Sequence, residues 1–458
     1  MTSWQLDITI GQFFLDFAWI GVLLVIATYL RRHVRVFQDF LIPNNLIAGF
    51  IGLFIGMNGI GLVDLTTERL GAYVYHLLAL MFIAIGLRAP NKKAGMSSVK
   101  FGLIFIMVYL VQALAGMFIA FLLIYTIMPD LFAGIGLLPP LAFGMNPGIA
   151  FSIGQNWELY GFESGAVVGL TFAAIGFLFA YTVGIIIVKR GIQKGDAAFH
   201  QNSDSITNDI RTGIITKEIK PSGGVLTTSS EAIESLTLHL SIVGLTYILT
   251  WLALSGMEYL LISFGAENEV STLWSFHFIA AAITALIVRK LMDIVNIGSL
   301  IDDTTMTRSA NFFMDIMIVA SVAAISWAVI QMYIIPLILM SIVVLITTWA
   351  TIFWACKTAF IRFRFERFVA IFGNLTGTIQ SALVLLRVLD PELKSPVSYN
   401  LVYGSGLALA FGFPLLILIN APVHYFEDIL TGFWFVTFAL FAYLLLILFG
   451  WNFLKGKS

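Results

Sequence analysis

The chain is 458 residues long, 59% hydrophobic and only 11% charged, with a net charge of −1. A soluble domain is about 45–50% apolar and about 25% charged. So few ionisable groups cannot cover a soluble body of this size, which excludes a soluble enzyme, a nucleic-acid binder and a disordered chain. A single cysteine, Cys356, further excludes an internal disulfide, a thiolate metal cage and an iron–sulfur cluster. What remains is a polytopic, all-α membrane protein.

A helical crossing needs about 20 apolar residues, and the first such run covers 9–30. Arg31, Arg32 and Arg35 follow it and no basic residue precedes it, the reverse of a secretory signal's charge order. A retained helix with its N-terminus outside is the expectation. Further spans are read over 44–63, 70–88, 99–128 and 164–188, then over 236–263, 272–290, 307–333, 335–356, 400–420 and 429–454. Two more apolar stretches, 131–158 and 367–390, are broken by Gly, Pro and Asn and do not read as clean spans. The Ser-, Thr- and Gly-rich segment 191–235 reads as a cytosolic linker.

If both broken stretches enter and leave on one side as re-entrant hairpins, the loops alternate without conflict. Arg88, Lys92, Lys93, Lys100, Lys189, Arg190, Lys194, Arg211, Lys217 and Lys220 then fall inside. So do Arg289, Lys290, Arg308, Lys357, Arg362, Arg364, Arg367, Arg387, Lys394, Lys455 and Lys457, and of the 25 basic residues only Arg69 lies outside. Orientation follows Lys and Arg rather than net charge, so the linker and the C-terminus are expected in the cytosol of a bacterial inner membrane.

Five spans precede the linker, so the second half begins on the opposite side from the first. The pattern Phe143-Gly144-Met145-Asn146-Pro147-Gly148 recurs as Phe372-Gly373-Asn374-Leu375-Thr376-Gly377 at the equivalent point of the second half. The reading is two inverted five-helix repeats, 1–190 and 236–420, each with a re-entrant broken-helix hairpin, followed by an extra C-terminal span in 421–458. Inverted repeats that meet at broken helices are a secondary-transporter architecture.

Irregular backbone persists at membrane depth only inside protein or beside a wet cavity. At such breaks, carbonyls hold cations and half-helix N-termini hold anionic groups. Asn146, Gly148, Ser152, Asn374, Thr376, Gly377, Thr378 and Gln380 are therefore the candidate substrate-binding residues, and Gly144 and Gly373 candidate cation ligands. Single glycines are more often packing residues; two matched polar hairpins point to a site. Asp315, in the eighth span, shares a helical face with Asn311 and Arg308 and is a candidate cation site with Asn311; a proton site and a structural pair with Arg308 are the alternatives. Asp16, one turn after Gln12, lies nearer the outer surface, where a structural pair accounts for it equally well. His76, His239 and His277 have no metal spacing and read as hydrogen-bonded packing residues. No nucleophile elbow, Walker loop, zinc-protease helix or kinase signature is present.

Several local stretches carry a family likeness. Leu41-Ile42-Pro43 opens the second span, Met81-Phe82-Ile83-Ala84-Ile85-Gly86-Leu87 closes the third, Tyr160-Gly161-Phe162 follows the first broken stretch, and Asn311 enters the eighth span. In these and in layout the chain resembles the bacterial sodium–glutamate symporters over roughly residues 12–420. The resemblance implies two inverted five-span halves, two Gly-rich pore loops, a homodimer and elevator-like transport. Departures are Asp315, where a small polar residue is usual, the fewer glycines in both pore loops, and the extra helix over 429–454. The resulting expectation is Na⁺-coupled uptake of glutamate, another amino acid or a small organic anion, without a bound cofactor and without enzymatic activity. A channel, or a membrane-embedded enzyme, is the alternative. A cysteine introduced at Thr67 is expected to react with an impermeant external thiol reagent while one at Ser222 does not; the opposite labelling reverses the orientation.

Overall fold

A computed structural model describes residues 10–89, 95–199, 208–216, 222–391 and 393–454. Lys92, Lys93, Lys217, Lys220, Lys455 and Lys457 lie outside the described residues, as does part of the expected linker. Among the described residues every regular element is helical. The α-helices of eleven residues or longer, in chain order, are α1 Ile10–His33, α2 Asn44–Ile55, α3 Thr67–Gly86, α4 Met96–Ile124, α5 Pro147–Glu158, α6 Gly165–Lys194 and α7 Ser235–Ser263. They continue with α8 His277–Ile294, α9 Asp303–Ala323, α10 Ile334–Ala359, α11 Arg364–Thr376, α12 Ile379–Leu389, α13 Val397–Tyr425 and α14 Ile429–Leu454. Seven of these (α1, α3, α4, α6, α7, α10 and α14) are long and apolar enough to cross a membrane. The protein is an all-α membrane protein.

Two expected spans are shorter than their apolar runs. The run 44–63 is helical only to Ile55, because Gly56, Asn58, Gly59 and Gly61 turn the chain back on itself. The Ile60 amide donates to the Phe54 carbonyl and the Val63 amide to that of Ile55, at 2.9 and 3.0 Å. The run 307–333 ends its helix at Ala323; Ser326 is extended and a separate short helix, Trp327–Met332, follows.

The chain divides into two compact units that cut across its two halves. The first gathers residues 1–26, 47–92 and 215–324, and the second 27–46, 93–214 and 325–458.

In the first unit α3 is the centre, packed by α8 and α9 and touched by α7. Its start explains the one basic residue expected outside. Arg69 Nε donates to Asp16 Oδ2 at 2.8 Å, and a second guanidinium nitrogen lies 3.3 Å from Oδ1. Arg69 also pairs with Asp64 at 3.4 Å, and the Gln12 amide donates to Asp16 at 3.2 Å. Asp16 is fully buried, and Arg69 is the cation that offsets the cost of burying its carboxylate. The histidines are packing groups: His76 lies 2.6 Å from the Tyr247 hydroxyl. The Asp302 amide donates to His239 at 2.8 Å, and His277 stacks on Tyr75 with ring centroids 3.6 Å apart. The Thr67 hydroxyl donates to the Ala324 carbonyl at 3.0 Å, so a labelling cysteine is better placed at exposed Glu68 next to it.

In the second unit α4 is the centre. It packs against α10, α13, α14 and the 3₁₀ turn Ala133–Leu137, which opens the first broken stretch. Cys356, on α10, is buried at 2% exposure.

The Asp16–Arg69 pair yields a stability test. Arg69→Met strands a buried carboxylate and is expected to cost about 3–5 kcal/mol, read as a lowered thermal midpoint in detergent. Adding Asp16→Leu is expected to recover most of the loss.

Candidate functional site

Both broken stretches belong to the second unit, and they meet. The first runs from the 3₁₀ turn through a π-helical turn, Pro140–Met145, to a break at Asn146. Asn146 is extended, with φ −169° and ψ 143°, and it starts α5; Pro147 follows at the first helical position, where a missing amide costs nothing. The Asn146 side chain accepts a 2.8 Å hydrogen bond from the Gly148 amide. In the second stretch α11 ends at Thr376, the chain breaks over Gly377 and Thr378, and α12 restarts. Thr378 takes the part of Asn146: its hydroxyl faces the Ser381 amide at 3.5 Å. Each break thus precedes a capped half-helix N-terminus, where free amides and the helix dipole favour negative charge.

Two long helices bring the breaks together. Gln112, on α4, donates from Nε2 to the Leu375 carbonyl at 2.9 Å and to the Thr348 hydroxyl at 3.0 Å. Leu375 is in the last turn of α11, where carbonyls lack helical partners. A Cβ built on Gly144 would stand 2.9 Å from Gln112 Oε1 and 2.5 Å from the Tyr109 ring. One glutamine amide therefore spans from the first break to the second. On α6, Gly176 lies between them too: a Cβ there would meet the Thr376 carbonyl oxygen at 2.6 Å and the Phe143 ring at 2.8 Å. Tyr181 on the same helix receives a 3.0 Å hydrogen bond from the Ser381 hydroxyl.

The residues expected from sequence sort as follows. Gly144, Asn146 and Gly148 form the first break, and Thr376, Gly377 and Thr378 the second. All six are buried, and the Thr376 hydroxyl donates to the Phe372 carbonyl at 2.8 Å. Asn374 is buried one turn before the second break, and Gln380 is half-buried just after it. Gly373 packs on the returning arm: a Cβ there would lie 2.9 Å from the Ala382 α-carbon. Ser152 is one turn along α5 from Gly148, and its hydroxyl is buried without a hydrogen-bond partner. Asn311 and Asp315 are on α9, in the other unit; Asn311 is exposed and Asp315 half-buried. The four expected cation ligands are thus divided, two to each unit.

Three polar residues were not read from the sequence. Gln112 is fully buried with Oε1 unpartnered, and Asn156, one turn beyond Ser152, buries both amide atoms without partners. Tyr181 is the third. Gln112 carried a signal, being the one amide side chain of its helix and set within an apolar stretch. The side chains named around the two breaks are all neutral, so the site offers dipoles, carbonyls and hydroxyls rather than charge.

No family model, curated protein or solved structure matches the chain. The resemblance to the sodium–glutamate symporters rests on the residues quoted above.

Crowding at Gly176 gives a packing test. Its neighbour is a backbone carbonyl, which no rotamer change can move, so Gly176→Ala is expected to cost about 1–3 kcal/mol, seen as a lower thermal midpoint. Gly244→Ala, where nothing lies within 4 Å of the added carbon, is expected to leave it unchanged.

Proposed function

We infer that the protein is a secondary active transporter that takes up a small carboxylate-bearing solute together with Na⁺, by alternating access of elevator type. The two broken stretches act as re-entrant hairpins of inverted repeats. The single observation that carries this reading is their convergence at Gln112 and Gly176, with both half-helix N-termini starting there.

The chemistry follows from the neutrality of the site. Amides at the starts of α5 and α12 suit a carboxylate. Gln112 Oε1, the Ser152 hydroxyl and the carbonyls freed at the end of α11 are the hard oxygen donors that suit an alkali cation. With no protein charge among these groups, an anionic solute and a cation each supply the other's counter-charge, so each binds better in the other's presence. That mutual dependence is what couples an ion gradient to uptake. The division into two compact units, one holding both hairpins, supports the elevator mechanism, and the family resemblance supports glutamate or a similar acid as the solute. Asp315, in the unit without the hairpins, is assigned a structural or accessory cation role rather than a place in the solute site.

The test is thermal stabilisation of the purified protein by amino and dicarboxylic acids in NaCl against KCl. A solute at 100 times its Kd is expected to add about 2.7 kcal/mol of apparent stability, with Na⁺ and only weakly with K⁺. Gln112→Met, close in volume, is expected to remove the Na⁺ dependence while the protein still elutes as a single species. Stabilisation indifferent to the cation would overturn Na⁺ coupling, and none by any acid would overturn the carboxylate solute.

A further inference from the structure

At the α11 end of the second unit lies a cavity of about 670 Å³ that neither break reaches. Four basic side chains from three elements line it: Arg190 and Lys194 from the last turns of α6, Lys357 from the end of α10, and Arg364 from the start of α11. All four are exposed. Its two carboxylates, Asp196 and Glu366, are outnumbered by these four cations, and Glu366 is buried and accepts a 2.6 Å hydrogen bond from the Ala198 amide. That bond, with Phe199 stacked on Phe363 at 5.5 Å, fastens the segment after α6 onto α11 and builds the wall. Beside the lining, Arg367 and Lys100 are both buried. They flank the Phe360 ring, 4.1 and 5.9 Å from its centroid, and have no ion-pair partner among the described residues. Arg367 Nε has no hydrogen-bond partner either. The field in the cavity is positive.

The other wall is apolar and continues onto an exposed side of α10. Ile335, Ile338, Ile342, Ile346, Trp349 and Phe353 are all exposed, at 40–60% or close to it, and follow one another at three- and four-residue steps along one face. Trp349 and Phe353 stack at 5.4 Å, and both line the cavity. Ile335 to Phe353 covers roughly 27 Å of helix at 1.5 Å per residue, close to one hydrocarbon thickness. The next residue in register is Lys357. An apolar stripe of membrane length that ends in a basic cavity has the form of one amphiphile, acyl chain along the stripe and anionic head among the cations.

We propose that this cavity is a binding site for an anionic phospholipid. It depends on membrane embedding alone and stands independently of the transport reading. A bulk lipid contact needs no concavity and no choice of headgroup; four cations converging from three elements on the end of a hydrophobic stripe select for charge.

Native mass spectrometry of the delipidated full-length protein, titrated with phosphatidylglycerol or phosphatidylcholine of the same chains, tests the proposal. Wild type is expected to prefer phosphatidylglycerol. That preference is expected to fall about fivefold for each basic residue neutralised in Lys357→Gln and Arg364→Gln, while Lys357→Arg keeps it. Arg32→Gln with Arg35→Gln, outside the cavity, is expected to leave it intact, and phosphatidylcholine binding serves as the folding control throughout. Equal binding of the two lipids to wild type would overturn the site. So would a preference that survives Lys357→Gln with Arg364→Gln, an equal loss in the Arg32 and Arg35 variant, or full displacement of the lipid by inorganic phosphate.

Discussion

A peptide group without a hydrogen-bond partner is intolerable in hydrocarbon, and most of the second unit is arranged around the two places where the chain violates helical pairing. At Asn146 and over Gly377–Thr378 the backbone opens, and the freed groups receive partners from the protein itself. Asn146 serves the Gly148 amide, Thr378 faces that of Ser381, and Gln112 reaches from a neighbouring helix to the Leu375 carbonyl. Each solution demands another. For Gln112 to touch both breaks, Gly144 must lack a side chain, and for α6 to lie against the Thr376 carbonyl, Gly176 must lack one as well. The central helix carries its single amide at the level of the breaks, and the glycines lie where the backbones close on it. Satisfaction is incomplete: Gln112 Oε1, Ser152 Oγ and both Asn156 amide atoms stay buried without partners. Those atoms mark where the protein has polar capacity beyond what its own fold consumes.

Neutrality sets the character of that capacity. A buried carboxylate or arginine at the breaks would fix the preferred sign of a ligand and carry a desolvation penalty in every state of the protein. Dipoles, hydroxyls and carbonyls impose neither. They can accept opposite charges side by side, and they add no net charge to the apolar interior. In the first unit the opposite solution appears: Asp16 is buried and ionised groups face each other directly through Arg69. There the role is to hold helices, and a fixed pair suits it.

Much of this was readable from the residues. Helix positions follow from apolar run length, the first break from clustered Gly, Pro and Asn and the second from Gly and Asn, because Pro removes a helical hydrogen bond, Gly costs backbone entropy and the Asn side chain competes for backbone groups. The misreadings have physical causes. The run 44–63 is apolar on average despite Asn44, Asn45 and Asn58, and mean hydropathy does not register that Gly56, Gly59 and Gly61 favour a turn. Asp315 lies well along its helix and is half-buried, while Asp16, near the start of α1, is fully buried. Depth along an axis does not determine which face packs. Gln112 carries no charge and so stands out less in the sequence than an ionisable residue, although an uncharged amide suits a neutral site better than a carboxylate does. The grouping of 47–92 with 215–324 in one compact unit and of 93–214 with 325–458 in the other is set by packing; hydrophobic periodicity along a chain is blind to it.

The burial of Cys356 has an experimental use. It is the chain's single cysteine, and at 2% exposure on the wall of the basic cavity it presents little surface to water-borne electrophiles. The wild-type sequence therefore serves as its own low-background scaffold for site-directed spin labels and fluorophores. Distances between reporters can be measured without first deleting a native thiol and disturbing the helix that carries it.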